Sequence, residues 1–182
     1  MLLNTTNMLD TLVSSKTKIK LLLKFFLNAS NTAYLRNLES EFGESTNAIR
    51  IELNRFEESG LLNSYSDKNK KIFKANIKHP LYPEINSIVR KFVGIDKIID
   101  NVVSKLGEPE KVWLVGNFAR GLDSDTIDLK ISGNVNKDYL EELVKKVEAT
   151  INRRLNIQLL SVDETFIIER NIEPSLLLWS KV

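Results

Sequence analysis

Thr46, Asn47, Arg50 and Asn54 fall on one side of the stretch Ser45–Leu62, and their side chains are a hydroxyl, two amides and a guanidinium rather than solvating Lys and Glu. Asn bonds adenine in bidentate fashion, Arg does the same to guanine, and Thr offers a polar or a methyl contact, so this face carries groups that read base edges in a major groove. Ile49, Leu53 and Phe56 recur at i, i+4 and i+7 on the other side, which predicts a helix with that stripe turned to a core. An ordinary amphipathic surface helix has the same stripe, so the flanking elements decide between the two readings.

Those elements are legible. From about Ser15, Ile19, Leu22, Leu23, Phe26 and Leu27 predict a helix with its lysines outward, ending at Ala29-Ser30. Asn31 or Thr32 can cap a second, shorter helix that buries Leu35, Leu38 and Phe42 and stops at Gly43. Ser45 then caps the third, so two helices joined by a tight glycine turn present the later one outward. After Gly60, the alternating segments LLNSYS and KKIFKAN flank the polar tip Asp67-Lys68-Asn69 and predict a β-hairpin. Lys68, Lys70, Lys71 and Lys74 crowd it; they would hold phosphates beside a base-reading helix, or merely protect a sheet edge. In this order the elements resemble the winged helix-turn-helix of bacterial transcriptional regulators, from Lys16 to Lys78. That resemblance implies double-stranded DNA as partner, contacted by Ser45, Thr46, Asn47, Arg50 and Asn54 and by Lys68, Lys70 and Lys71.

Composition agrees without deciding. Residues 1–80 hold 12 Lys+Arg against 8 Asp+Glu, and residues 81–182 hold 14 against 16, so the basic half is the one with the base-reading helix. The chain has no cysteine, which excludes disulfides, thiolate zinc sites and a cysteine nucleophile, and its one histidine, His79, sits in a His-Pro turn. No run of about 18 apolar residues suggests a membrane span, and the expected location is the cytoplasm. Residues 1–14 read as a tail or a short helix packing through Met8, Leu9 and Leu12.

His79-Pro80-Leu81-Tyr82-Pro83 interrupts regular structure, because two prolines restrict themselves and the residues before them. Ile85, Ile88, Val89 and Phe92, then Ile95, Ile98, Ile99, Val102, Val103 and Leu106, predict two helices beyond it. They would pair two copies into a homodimer or dock the rest of the chain. VWLV (Val112–Val115) predicts a buried strand, the segment GNFARGLDSD turns, and a strand resumes at Thr126–Ser132. The segment Asp138–Asn152, with Leu140, Val144 or Leu143, Val147 and Ile151 on one face, connects it to a strand at Leu155–Leu160. A terminal helix around Phe166 and Ile167, a break at Pro174 and an apolar end at Leu176–Trp179, expected to seal the core rather than to make a partner contact, complete the reading.

Gly116, Phe118, Ala119, Arg120, Gly121 and the pair Asp128-Leu129 resemble the nucleotidyltransferase superfamily, with its glycine loop after the first strand and its Asp-x-Asp pair on the next. The resemblance implies a nucleotide held by the loop and magnesium held by paired carboxylates. The departures matter. The alternation of a strand puts Thr126, not an acid, beside Asp128, with Lys130 on the same face. Asn117 replaces the family's serine, and the later strand offers Asn156 and Gln158 where a third acid belongs. The expectation is therefore no metal, no cofactor and no enzymatic activity, with Gly116, Asn117, Arg120, Gly121 and Asp128 kept as a loop for a nucleotide or small-molecule effector.

The expected fold class is α+β: a winged helix-turn-helix domain over 1–78, a helical connector over 79–107 with a role in dimerisation, and a small α/β nucleotidyltransferase-like domain over 108–182. The whole arrangement resembles transcriptional regulators of Bacteroidetes-type bacteria, which implies a sequence-specific DNA-binding regulator with no membrane partner. Two alternatives stand beside it: a nucleotidyltransferase that modifies a protein or small molecule, recruited by its front domain, and a protein-interaction module.

Overall fold

The computed structural model describes residue 11, residues 13–170 and residues 173–181. The segment expected to pack through Met8, Leu9 and Leu12 lies outside the described residues. Among them, no helix is long and apolar enough to cross a membrane.

Helix α1 (Lys16–Leu22) starts where Ser15 accepts a hydrogen bond from the Lys18 N–H. It widens at once into a π turn, Leu23–Leu27, in which all five residues are buried. That burial corrects the expectation of outward lysines. Lys24 is 5% exposed, and its ammonium lies 2.7 Å from Glu41 Oε2. The reason is that LLLKFFL is apolar nearly all round, so neighbours enclose it on every side. Lys20 Nζ bonds both the Phe42 carbonyl, at 2.8 Å, and Glu44, at 2.7 Å, and the Thr17 hydroxyl also donates to Glu44. These donors, Lys20 first, hold the Glu44 carboxyl below the usual carboxylate range.

Thr32–Tyr34 forms a short strand, β1, which corrects the expected cap at Asn31 or Thr32: helix α2 (Leu35–Phe42) begins after Tyr34 with no side-chain cap. It does stop at a left-handed Gly43. Helix α3 (Thr46–Glu58) follows, capped by the Ser45 hydroxyl, which accepts from the Ala48 N–H at 3.2 Å, with Ile49, Leu53 and Phe56 buried. Strands β2 (Leu62–Asp67) and β3 (Lys70–Ala75) form the hairpin, turning through Lys68 and Asn69 at φ 42° and 67°. Two consecutive positive φ values match the twist of the flanking strands. The three strands make an antiparallel sheet in the order β1-β3-β2, so the hairpin is anchored by the strand that precedes α2.

The His79-Pro80 segment is a turn, after which α4 (Tyr82–Val93) and α5 (Ile95–Asn101) meet at a left-handed Gly94. Val89, Phe92, Val93, Ile95 and Ile98 are buried within the chain. A second sheet has the order β6-β5-β4-β7, built from β4 (Gly107–Val115), β5 (Thr126–Val135), β6 (Arg154–Leu159) and β7 (Leu176–Ser180). Helix α6 (Gly116–Ala119) follows β4, and α7 (Lys137–Ile151) crosses between the parallel strands β5 and β6. The apolar end expected to seal the core is the edge strand β7, paired to β4. Helix α8 (Val162–Glu169) forms around Phe166 and Ile167, exposing both and burying Ile168. One continuous cluster of buried side chains runs from Ile19 through Leu53, Phe92 and Phe118 to Leu155.

Candidate functional site

Two recesses collect the residues the sequence singles out. The larger, about 660 Å³, is a groove between α3 and the hairpin, lined by Tyr34, Arg36, Glu39, Thr46, Arg50, Asn54, Asn69, Lys70 and Lys71 among others. Because α3 turns its apolar stripe inward, Arg50 and Asn54 are exposed on the outer face. Lys70 faces them from the hairpin, its ammonium 4.4 Å from the centre of the Tyr34 ring. Lys71 is tied at 2.6 Å to Glu57, which also accepts from the Ser64 hydroxyl at 2.5 Å. Those bonds, Lys71 first, hold the Glu57 carboxyl below its usual range, so Lys71 meets any polyanion already half-neutralised.

Ser45 and Asn47 are exposed at the start of α3, with the Ser45 hydroxyl used as the cap, and Lys68 sits at the hairpin tip. None of these three lines the groove. Tyr34, Arg36 and Asn69 do, and sequence reasoning missed them. Arg36 is one residue into α2, where only the β1 pairing reveals that it faces the hairpin side.

The second recess, about 300 Å³, opens at the end of the large sheet and is lined by Val115, Gly116, Arg120, Asp128, Lys130, Asn156, Gln158 and Glu173 among others. Gly116 has φ 66°, and a Cβ there would lie 2.6 Å from Asp128 Oδ2, so only glycine allows the loop this close to the carboxylate. Pairing sets Asp128 opposite Val115 on one side and Asn156 on the other. Asn156 Nδ2 donates to Asp128 Oδ1 at 2.9 Å. Lys130 lies 3.7 Å from Glu173.

The expected effector loop divides. Gly116, Arg120 and Asp128 come together at the recess, whereas Asn117 points to solvent and Gly121 lies at the far end of the turn. There a Cβ would meet the Lys24 Cα at 2.4 Å and the Leu23 carbonyl oxygen at 2.8 Å. Gly121 therefore seats the loop on the π turn rather than on a ligand.

Paired metal ions of the kind the nucleotidyltransferase resemblance implies do not fit these residues. Thr126 is the same-face neighbour of Asp128, and the strand runs regularly from Thr126, leaving Asp125 exposed on the bend before it. Among the described residues no group of three or more His, Cys, Asp or Glu could hold a metal ion.

No family model matches the chain, and no curated protein is similar to it. Among solved structures it is similar to a mutant of the toxin-antitoxin MntA-HpeT, at 17% identity and a TM-score of 0.40, covering 48% of this chain and 73% of that one. A toxin-antitoxin structure with AMP-PNP is similar at 16% identity and a TM-score of 0.40, covering 48% and 74%. The tri-AMPylated Shewanella oneidensis HEPN toxin in complex with MNT antitoxin is similar at 16% and 0.36, covering 47% and 69%. Beside a neighbour with AMP-PNP and another with an AMPylated toxin, the expectation that this chain is not an enzyme is withdrawn. That expectation rested on counting carboxylates along β5 and β6, which tests for paired metal ions and not for group transfer as such.

Proposed function

We propose that this protein holds two ligands, duplex DNA in the groove between α3 and the hairpin and a nucleotide in the recess beside Gly116. A winged helix-turn-helix unit over 16–78 would then carry a nucleotidyltransferase-type unit, over 108–182, to DNA and act there as a regulator. The observation that carries the DNA reading is the placement of Arg50 and Asn54, exposed on one wall of the groove with Lys70 and Asn69 on the other. A guanidinium and an amide on a helix are base readers, and an ammonium on a projecting hairpin is a phosphate contact. The experiment is a titration of a duplex enriched by the protein from a random pool. Arg50→Ala is expected to weaken binding by about 1–3 kcal/mol and relax preference at one base pair, whereas Lys70→Ala weakens all sequences alike. A homodimer fits the same proposal, through Leu81 and Ile88, which stay exposed one heptad apart at the start of and along α4.

A specific observation favours a transferase reading of the rear unit: glycine backbone laid against the one carboxylate that a parallel strand fixes through Asn156. Arg120 would take phosphate charge in bidentate fashion, and Asp128 would take the proton of an acceptor hydroxyl as its oxygen bonds the α-phosphorus of ATP and the bond to the β-phosphate breaks, releasing pyrophosphate. Transfer of label from ATP to the protein or a partner, lost in Asp128→Ala, is the expected result; label transfer unchanged by that substitution excludes this site.

A further inference from the structure

The turn behind the nucleotide recess is tied to the π turn of the N-terminal half by side-chain amides. Asn31, in the turn after the π segment, donates its amide nitrogen to the Lys24 carbonyl at 3.1 Å and to the Ala119 carbonyl at 3.1 Å. The first oxygen belongs to the π turn of α1 and the second to the last residue of α6. Asn28, 3% exposed, donates to the same Ala119 oxygen at 3.0 Å, so both lone pairs of that carbonyl are occupied by amides from the N-terminal half. Three residues, about 4.5 Å of helix, separate this residue from Gly116 at the recess.

We propose that Asn31 is a latch through which nucleotide in the Gly116 recess weakens the grip of the groove on DNA. The inference rests on the two-ligand reading above. Gly116 lies so close to Asp128 that an anionic phosphate entering the recess meets the carboxylate, and relief comes by lifting the loop. Because α6 is a single turn, lifting Gly116 draws the Ala119 carbonyl away from Asn28 and Asn31. Asn31 then no longer clamps the Lys24 carbonyl to the loop, and the π turn loses its tie to α6. Wide turns of this kind are uncommon. The loosened segment carries Lys24, whose partner Glu41 is on α2, and it continues into α1, whose Thr17 and Lys20 hold Glu44 in the turn before α3. Nucleotide would then favour a lifted arrangement of this path and duplex the seated one seen here.

The test measures binding of the pool-enriched duplex to the full chain with and without saturating ATP. ATP is expected to weaken the duplex about 5-fold or more, and the duplex to weaken ATP by the same factor. Asn31→Ala should bind each ligand alone while bringing that factor to one. Should the substituted chain fail to fold, hydrogen exchange in the unsubstituted protein decides: the Leu23–Leu27 amides are expected to exchange faster with ATP, and unchanged exchange overturns the latch. A duplex affinity that ATP leaves unchanged or strengthens, or a coupling that survives Asn31→Ala, overturns the latch while leaving both sites standing. Failure of either ligand to bind overturns the two-ligand reading and the latch with it.

Discussion

Replacing Gly121 with alanine is expected to destabilise the protein by about 2–5 kcal/mol, the sum of a left-handed backbone for an L residue and an overpacked contact. The contact is severe because what a Cβ would strike is backbone. At 2.4 Å from the Lys24 Cα, 2.7 Å from its carbonyl oxygen and 2.8 Å from that of Leu23, no rotamer change relieves it. Either α6 and its loop lift off the π turn, breaking the amide bonds to Ala119, or α1 shifts within a core that both halves share. Gly43 supplies the control: its φ of 63° is similar, but a Cβ there has nothing within 4 Å. Gly43→Ala should therefore cost only the conformational part, about 1–2 kcal/mol. Urea unfolding of the two variants measures the difference, and equal midpoints would mean that the loop does not rest on α1.

Glu41→Gln is expected to cost about 2–3 kcal/mol, somewhat less than the loss of a fully buried partner because Glu41 keeps some contact with water. Its carboxylate neutralises Lys24, whose side chain is 6% exposed against 29% for Glu41. Once the partner is uncharged, the buried ammonium is left without the ion-pair partner it has here. The sign reverses when the cation goes too. Lys24→Met in the Glu41→Gln background should recover most of the loss, since an unbranched apolar side chain fills the same space without a charge to solvate. A double-mutant cycle on the urea midpoints reads this directly. If both single variants and the double variant unfolded alike, Lys24 would be solvated and its burial wrong.

These two sites explain where sequence reading succeeded and stopped. The inward stripe of α3 was legible because Ile49, Leu53 and Phe56 repeat at helical spacing, and the hairpin because alternation on both sides brackets a polar tip. The proximity of Asn156 to Asp128 was half legible: alternation gave the face, but only parallel pairing gave the neighbour. Strand β1 was not legible, since three residues next to good capping residues carry no alternation. Nor was β7, whose apolar run is as consistent with a plug as with an edge strand. The burial of Lys24 and the role of Gly121 depend on which surfaces of the two halves meet, and no local pattern encodes that. The helix around Phe166 and Ile167 was legible, but not that it buries Ile168 and leaves those two exposed.

Base readout by α3 is tested most directly by selection of bound duplexes from a random pool by the unsubstituted chain and by Arg50→Ala in parallel. An enriched motif is expected for the first, with a palindrome if two copies bind together, and for the second the same motif made degenerate at one base pair. A pool that shows no enrichment with the unsubstituted chain, or a motif that Arg50→Ala leaves unaltered, would contradict it.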